Sequence, residues 1–254
     1  MEFSWTWFGW LAPFIFFGGF VDAMAGGGGL ITVPAYLAAG VPTSLVLGTN
    51  KLSSSIGTLV STYNYYRRVP VALGKLLPLI LATILAAACG ARAVMWVEPQ
   101  WVRTMMLLAI PCVAFLVYKN KKFGHADHSN QYSRKQLLCR LMGIAMVVGF
   151  YDGFFGPGTG TFLALGFSRI AKFDLLKSTA YAKYINLTSN IAALATFLYG
   201  GVVHVSLGLA LGIFGIAGHY MGSRMAIKHG PQLIRPMIVL VLCGLLFKVA
   251  YDTF

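Results

Sequence analysis

Acidic residues are scarce in this sequence, with 7 Asp and Glu against 20 Lys and Arg, and charged residues make up only 11% of the 254 positions. Hydrophobic residues account for 57%. A chain with so few polar side chains cannot cover the surface of a soluble globule of this size. We therefore expect an all-α integral membrane protein, for which the lipid bilayer is the solvent.

Motifs that would indicate an enzyme or a cofactor site are also missing. The cysteines lie scattered in apolar stretches, without CxxC spacing and without a nearby histidine cluster, so neither a disulfide framework nor a metal site is indicated. The sequence has no HExxH, no GxxxxGK[ST] loop and no Ser/His/Asp or Cys/His arrangement. We predict that the protein is not an enzyme and needs no cofactor.

Long apolar stretches are abundant. A membrane-spanning helix needs about 20 mainly apolar residues. Stretches of this kind recur near 45–66, 73–95, 101–118, 137–153, 178–199, 204–227 and 233–251. Roughly seven to nine membrane segments fit. The first ten residues lack a positively charged start and continue into a motif that recurs later, so we expect permanent structure there and not a cleaved signal peptide.

An internal repeat organises the chain. The segment Gly19-Phe20-Val21-Asp22-Ala23 with its following glycines reappears as Gly149-Phe150-Tyr151-Asp152-Gly153, again followed by glycines, and Lys51 matches Lys183 at nearly the same spacing. Self-similarity of this kind indicates a duplicated unit. We predict a first membrane repeat over 1–124, a basic linker over 125–135 and a second membrane repeat over 136–254.

Basic residues indicate how the repeats are oriented. They concentrate in the loop around Arg67 and Arg68, in the linker, and in the loops around 169–177 and 228–235, whereas the repeat-equivalent loops 39–44 and 200–201 carry no charge. Cytoplasmic loops are the basic ones, so the net charge of +13 reflects membrane topology and not nucleic-acid binding. Equivalent loops then lie on opposite sides, which is typical of inverted-topology repeats. We expect a cytoplasmic linker and periplasmic termini in a cell inner membrane.

Each repeat is predicted to open with a broken element. The apolar stretch before Asp22 is long, but only a short one, Leu30 to Gly40, follows the glycines, and it is too short to span the bilayer. An odd number of crossings per half therefore requires a long helix, a glycine break and a short helix that returns to the same face. Three full spans would follow this re-entrant hairpin in each half.

The glycine breaks are the first candidate site. Non-helical backbone at membrane depth is tolerated where it lines a cavity or is buried in protein, and the helix N-terminus after a break suits an anion. The candidate substrate-binding residues here are Gly27, Gly28, Gly29, Gly158, Thr159 and Gly160. The alternative interpretation is close helix packing, for which small residues are also used.

Asp22 and Asp152 lie just before the breaks, deep in apolar sequence. Ionisable residues in such positions mark proton or ion pathways. A carboxylate can equally accept hydrogen bonds from freed backbone N–H groups and fix the break. The sequence leaves both roles open, proton coupling and organisation of the site.

Lys51 and Lys183 are the candidate cations of the site. Asn50 adjoins the first lysine, while Asn186 and Asn190 share a helix face with the second. A cation beside amide donors suits an oxyanion. The alternatives are a lysine that extends to the lipid headgroups or one that neutralises a nearby aspartate. His219 has no histidine at the equivalent place of the first repeat, where Ala87 lies, and is more typical of a packed hydrogen-bonding residue.

These motifs resemble those of a known family. The stretch Asp22 to Gly29, the run Thr49-Asn50-Lys51 and the stretch Gly149 to Gly160 resemble the TauE/SafE family of sulfite exporters, and the likeness covers nearly the whole chain. The resemblance implies secondary transport of sulfite, an organosulfonate or a related sulfur-containing anion, outward and coupled to protons. An anion channel of the same architecture and a membrane-embedded binding protein are the competing hypotheses.

Overall fold

The computed structural model describes residues 5–71, 73–102, 104–105 and 126–229. Within those ranges the chain is helical and contains no β-strand. The span predicted near 233–251 lies outside them, as do most of the span near 101–118 and the first residue of the linker. The α-helices are α1 Trp5–Ala25, α2 Gly29–Ala38, α3 Thr43–Tyr66, α4 Leu73–Val94, α5 Arg134–Phe154, α6 Thr159–Arg169, α7 Leu175–Tyr199 and α8 Val205–His229.

Four of these helices are long and apolar enough to cross a membrane: α1, α4, α5 and α8. Their outer faces carry exposed large apolar side chains, such as Leu77, Leu81 and Leu85 of α4, which suit contact with lipid. Helices α3 and α7 are equally long and coincide with the apolar stretches predicted near 45–66 and 178–199, but they are more polar than that prediction. They carry buried Thr, Ser, Asn and Lys side chains, because they face the protein interior.

The predicted sequence of long helix, glycine break and short helix is present twice. Helix α1 ends at Ala25, and Gly26 then adopts a positive φ of 79° that other residues rarely tolerate. In the second case α5 ends at Phe154, and both Gly156 and Gly158 have positive φ, 94° and 83°. The Tyr151 hydroxyl donates a hydrogen bond to the Pro157 carbonyl at 2.6 Å and so connects the two sides of that break.

The two breaks lie against each other. Gly26 and Gly160 approach so closely that a methyl group on either would overlap the backbone of the other. The Thr161 N–H donates to the Gly26 carbonyl at 3.3 Å, and the Thr161 hydroxyl donates to the Ala25 carbonyl at 2.7 Å. Glycines at the breaks therefore serve close packing, the alternative that the sequence left open, in addition to any role in binding.

Helix α1 packs along α8, and α4 packs along α5, both through small residues. Gly222 lies against the Phe20 carbonyl in the first interface, and Gly90 lies against the Phe150 carbonyl in the second. Without a Cβ at these positions the helix backbones approach closely, as is common between membrane helices. Helix α3 packs on both α7 and α8, so the two polar helices meet in the interior.

The segment before α5 is fastened to the start of α7. Lys177 Nζ lies 2.6 Å from Asp127 Oδ2, and the His128 N–H donates to the Lys172 carbonyl at 2.9 Å. Partial burial alone would raise the pKa of Asp127, but hydrogen bonds from Lys177 and Ser129 outweigh it and hold that pKa below its usual value. These contacts fix the described end of the linker.

Candidate functional site

Two buried ion pairs lie beside the breaks. Lys51 Nζ of α3 is 2.6 Å from Asp152 Oδ2, and Lys183 Nζ of α7 is 2.8 Å from Asp22 Oδ2. The exposed side-chain fraction is 4% for Lys51, 1% for Asp152, 1% for Lys183 and 14% for Asp22. Each lysine therefore neutralises an aspartate at the end of a broken helix, and neither extends toward lipid headgroups.

Both carboxylates also hold the break that follows them. Asp22 Oδ1 accepts a hydrogen bond from the Gly28 N–H at 3.3 Å, and Asp152 Oδ1 accepts one from the Thr159 hydroxyl at 2.6 Å. Lys183 Nζ adds a bond to the Asp22 carbonyl oxygen, which also accepts from the Gly26 N–H. These are the contacts that an organising role would require, and they leave proton coupling open as the alternative.

A small cavity of about 30 Å³ lies between the ion pairs and the breaks. A polar cavity of this size can hold water. Polar groups of α1, α2, α3, α5, α6, α7 and α8 converge on it. Its polar lining consists of Asp22, Thr32, Asn50, Lys51, Ser53, Ser54, Thr58, Asp152, Thr159, Asn186, Asn190 and His219.

Most of the predicted site residues line this cavity. They are Asp22, Gly28, Gly29, Asn50, Lys51, Asp152, Thr159, Gly160, Asn186 and Asn190. Three others do not. Gly27 and Gly158 lie in the turns of the breaks, where the Gly27 carbonyl accepts from the Leu30 N–H at 3.0 Å. Lys183 lies behind Asp22, completely buried, and reaches the cavity only through that carboxylate.

The three asparagines have different environments. Asn190 Oδ1 accepts a hydrogen bond from Lys51 Nζ at 2.8 Å, and Asn50 Oδ1 accepts one from the Thr32 hydroxyl at 2.6 Å. Among the residues that the structure describes, none forms a side-chain hydrogen bond with Asn186. The side-chain amide of Asn186 is therefore available to bind a ligand in the cavity, while Asn190 is part of the Lys51 ion-pair network.

Five polar residues of the lining were not among the predicted site residues: Thr32, Ser53, Ser54, Thr58 and His219. The Thr58 Oγ1 atom is buried and has no hydrogen-bond partner among the described residues. His219 Nε2 lies 4.0 Å from Asp22 Oδ2, so this histidine belongs to the site as well as to the helix packing. Thr58 occupies the position equivalent to Asn190 in the repeat, which could have indicated it. His219 offered no repeat signal.

The short helices α2 and α6 begin at this cavity. Gly29 at the start of α2 and Thr159 and Gly160 at the start of α6 line the cavity, so the N-termini of both helices lie beside it. Their partial positive charge favours an anion. Within the described ranges, no cluster of three or more His, Cys, Asp or Glu side chains offers a metal site.

Several apolar helices around a buried polar site define a multi-pass membrane protein, and comparison with known proteins identifies the class as a membrane transporter. The sequence model of the family described as "Sulfite exporter TauE/SafE" matches residues 11–249. The chain therefore belongs to the TauE/SafE family, as its motifs suggested.

Relatives along almost the full length agree with this assignment. The chain is 37% identical over 237 residues to the "Probable membrane transporter protein ORF9" of Sinorhizobium sp, which covers 93% of this chain and 90% of that protein. It is 37% identical over 241 residues to the "Probable membrane transporter protein YfcA" of Escherichia coli strain K12, with 92% and 86% covered. A "Probable membrane transporter protein" of Haemophilus influenzae is 35% identical over 237 residues, with 93% and 92% covered. No solved structure matches the chain.

Proposed function

We propose that this protein is a secondary transporter that exports a small anion across the cell inner membrane, coupled to protons. The substrate class is sulfite, an organosulfonate or a related sulfur-containing anion, and the family's description is the basis for sulfur and for export. The observation that carries the proposal is the pair of buried Asp–Lys ion pairs at two touching helix breaks around one polar cavity.

Contacts that each half makes with the equivalent part of the other half support two inverted repeats, 1–124 and 136–254, joined by the linker 125–135. Lys51 of the first half pairs with Asp152 of the second, and Lys183 of the second pairs with Asp22 of the first. The helix contacts are exchanged in the same way, α1 with α8 and α4 with α5. Such reciprocity is expected of two units related by a two-fold axis, and an axis in the membrane plane gives alternating access to a central site.

The chemistry of the cavity favours an oxyanion. Lys51, the amide of Asn186 and the hydroxyl of Thr58 supply donors, and the N-termini of α2 and α6 add partial positive charge. In a carrier, this cavity would open alternately to each side of the membrane. An anion channel on the same scaffold would instead keep a continuous pore and show flux independent of a proton gradient.

Flux into liposomes tests this proposal. Purified protein is reconstituted, and sulfite and methanesulfonate movements are followed with and without an imposed pH gradient. Saturable flux that depends on the gradient, and that is lost in the folded double variant Lys51→Met with Asp152→Asn, supports the coupled carrier. Flux that does not saturate and ignores the gradient identifies a channel, and absence of flux for every sulfur oxyanion contradicts the proposed substrate.

Topology is tested by labelling single cysteines. After removal of the native cysteines, Lys172→Cys should react only with reagents that reach the cytoplasm, and Gly201→Cys only with reagents that reach the periplasm. Labelling of both from one side would contradict the predicted inverted arrangement, with its cytoplasmic linker and periplasmic termini.

A further inference from the structure

His219 breaks the symmetry of the site. Its Nε2 atom lies 4.0 Å from Asp22 Oδ2, and its side chain is only 3% exposed. Its repeat-equivalent position holds Ala87, so the repeat places no equivalent histidine beside Asp152. Gly19 and Gly57 flank the ring, and a methyl group on either would come within 3 Å of it. Glycines from two helices thus make room for this imidazole.

We assign the hydrogen of the neutral His219 ring to Nδ1. Ser61 has one hydroxyl hydrogen, and the Thr58 carbonyl lies 3.1 Å from its Oγ atom as an acceptor. When Ser61 donates there, its contact of 3.1 Å with His219 Nδ1 uses a hydrogen on Nδ1. A neutral imidazole carries only one N–H, so Nε2 has a bare lone pair that faces Asp22 Oδ2. Two proton acceptors therefore face each other across 4.0 Å.

The charges around this gap balance without an anion. Lys183 of α7 pairs with Asp22, while Lys51 of α3 pairs with Asp152 of α5 across the cavity. Two positive and two negative side chains sum to zero while His219 is neutral. An anion that enters the cavity leaves one uncompensated negative charge at membrane depth, which is strongly unfavourable. A proton between His219 and Asp22 restores neutrality.

The two aspartates are not equally able to accept this proton. Asp152 is 1% exposed; its Oδ2 lies 2.6 Å from Lys51 Nζ, and its Oδ1 accepts the Thr159 hydroxyl at 2.6 Å. Asp22 is 14% exposed; its Oδ2 accepts a bond of 2.8 Å from Lys183 Nζ, and its Oδ1 accepts a longer one of 3.3 Å from the Gly28 N–H. The Asp22 side of the site is therefore the one that can change its protonation with little rearrangement.

We propose that the gap between His219 Nε2 and Asp22 Oδ2 is a proton-binding site, and that a proton and an anion occupy the cavity together and move in the same direction. This inference rests on the proposed function. It states whether the proton and the anion move in the same direction or in opposite directions. An inward proton gradient would then favour anion uptake, so export would follow the concentration gradient of the substrate itself.

Coupled flux in weakly buffered liposomes tests the direction. Methanesulfonate is the probe beside sulfite, because it remains an unprotonated anion throughout the neutral range and carries no proton of its own. Inward anion flux should acidify the lumen, with about one proton per anion, because a loaded buried site is close to neutral. Alkalinisation of the lumen, or anion flux without proton movement, overturns the proposal.

The matched variants are His219→Gln and His204→Gln. His204 is also buried, but it lies outside the cavity, where its Nδ1 atom contacts the Ser206 hydroxyl at 3.3 Å. We expect His219→Gln to abolish proton movement, with or without loss of anion flux, while His204→Gln keeps both. Proton movement that is unchanged in a folded His219→Gln protein overturns the inference.

Nitrogen-15 NMR provides a test that requires neither transport activity nor a mutant protein. It is performed on the unaltered protein, with labelled histidine and without any anion. The expected result is an Nδ1–H tautomer with a bare Nε2 for His219, which gains a second proton on acidification. An Nε2–H tautomer overturns the proton site. If neither anion is transported, the proposed function fails, and this spectrum alone decides the proton site.

Discussion

Lys51 and Asp152 belong to different halves of the chain, yet Lys51 Nζ lies 2.6 Å from Asp152 Oδ2. Lys183 and Asp22 repeat this relationship with the halves exchanged, at 2.8 Å. Each pair connects the end of one broken helix to a polar helix of the other half. The ion pairs therefore hold the two halves together at the site itself, and a change in either pair affects stability and binding together.

Replacing Lys51 with Met should strongly destabilise the protein. It leaves Asp152 buried without a cation, and the loss of one partner of a buried pair costs about 3–5 kcal/mol. Anion binding should be lost as well. The double variant Lys51→Met with Asp152→Asn should recover most of the stability but no binding. Thermal unfolding in detergent and anion binding measure both effects, and a single variant that unfolds and binds normally would rule out this role of the ion pair.

The exposed pair Lys177 and Asp127 is the matched control, and it also predicts a pH dependence. Hydrogen bonds hold the pKa of Asp127 below its ordinary value of 3.8. The pair therefore adds stability above that ordinary value and loses it as the pH falls through the lower folded-state pKa. Since both side chains are about 30% exposed, Asp127→Asn should cost only about 0–1 kcal/mol at neutral pH. Unfolding followed down to strongly acidic pH should show the difference from the unaltered protein vanish.

The sequence predicted the helix breaks well but not the pairing at the site. The breaks follow from local signals, namely glycines after a long apolar stretch and a remaining segment too short to span. The contact between Lys51 and Asp152 joins residues far apart in sequence, which no local pattern encodes. The sequence offered only a nearby aspartate as the partner of each lysine, and it did not indicate which one.

His219 shows a different limit of the sequence. The repeat directed attention to residues present in both halves, and a residue that occurs in only one half received the more common interpretation of packing. Its place in the site depends on the close approach of α8 to α1 and α3, which Gly19 and Gly57 allow. The length and overall hydrophobicity of the stretches 45–66 and 178–199 indicate membrane spans, but they do not show that α3 and α7 bury a polar face in the protein interior.

The asparagines separate a binding role from a structural one. Replacing Asn186 with Ala should leave stability nearly unchanged, because its side chain has no hydrogen-bond partner within the described part of the chain. It should weaken anion binding by about 10- to 100-fold, which corresponds to one hydrogen bond to a charged group, about 1.5–3 kcal/mol. Asn190→Ala should instead lower stability, since Lys51 loses its bond of 2.8 Å. Unchanged anion affinity in Asn186→Ala would remove this residue from the site.

The contact between the two breaks gives the last prediction. A methyl group on Gly160 would overlap the backbone of Gly26, and because both are backbone atoms at the centre of the fold, neither can move aside without separating the breaks. We expect Gly160→Ala to destabilise the protein by about 1–3 kcal/mol or more, the usual range for overpacking, and to reduce flux. Gly143→Ala is the control, because nothing lies within 4 Å of a methyl group at that position of α5. That variant should keep or raise stability, by up to about 1 kcal/mol from helix propensity. Equal unfolding temperatures for the two variants would show that the breaks do not depend on this contact.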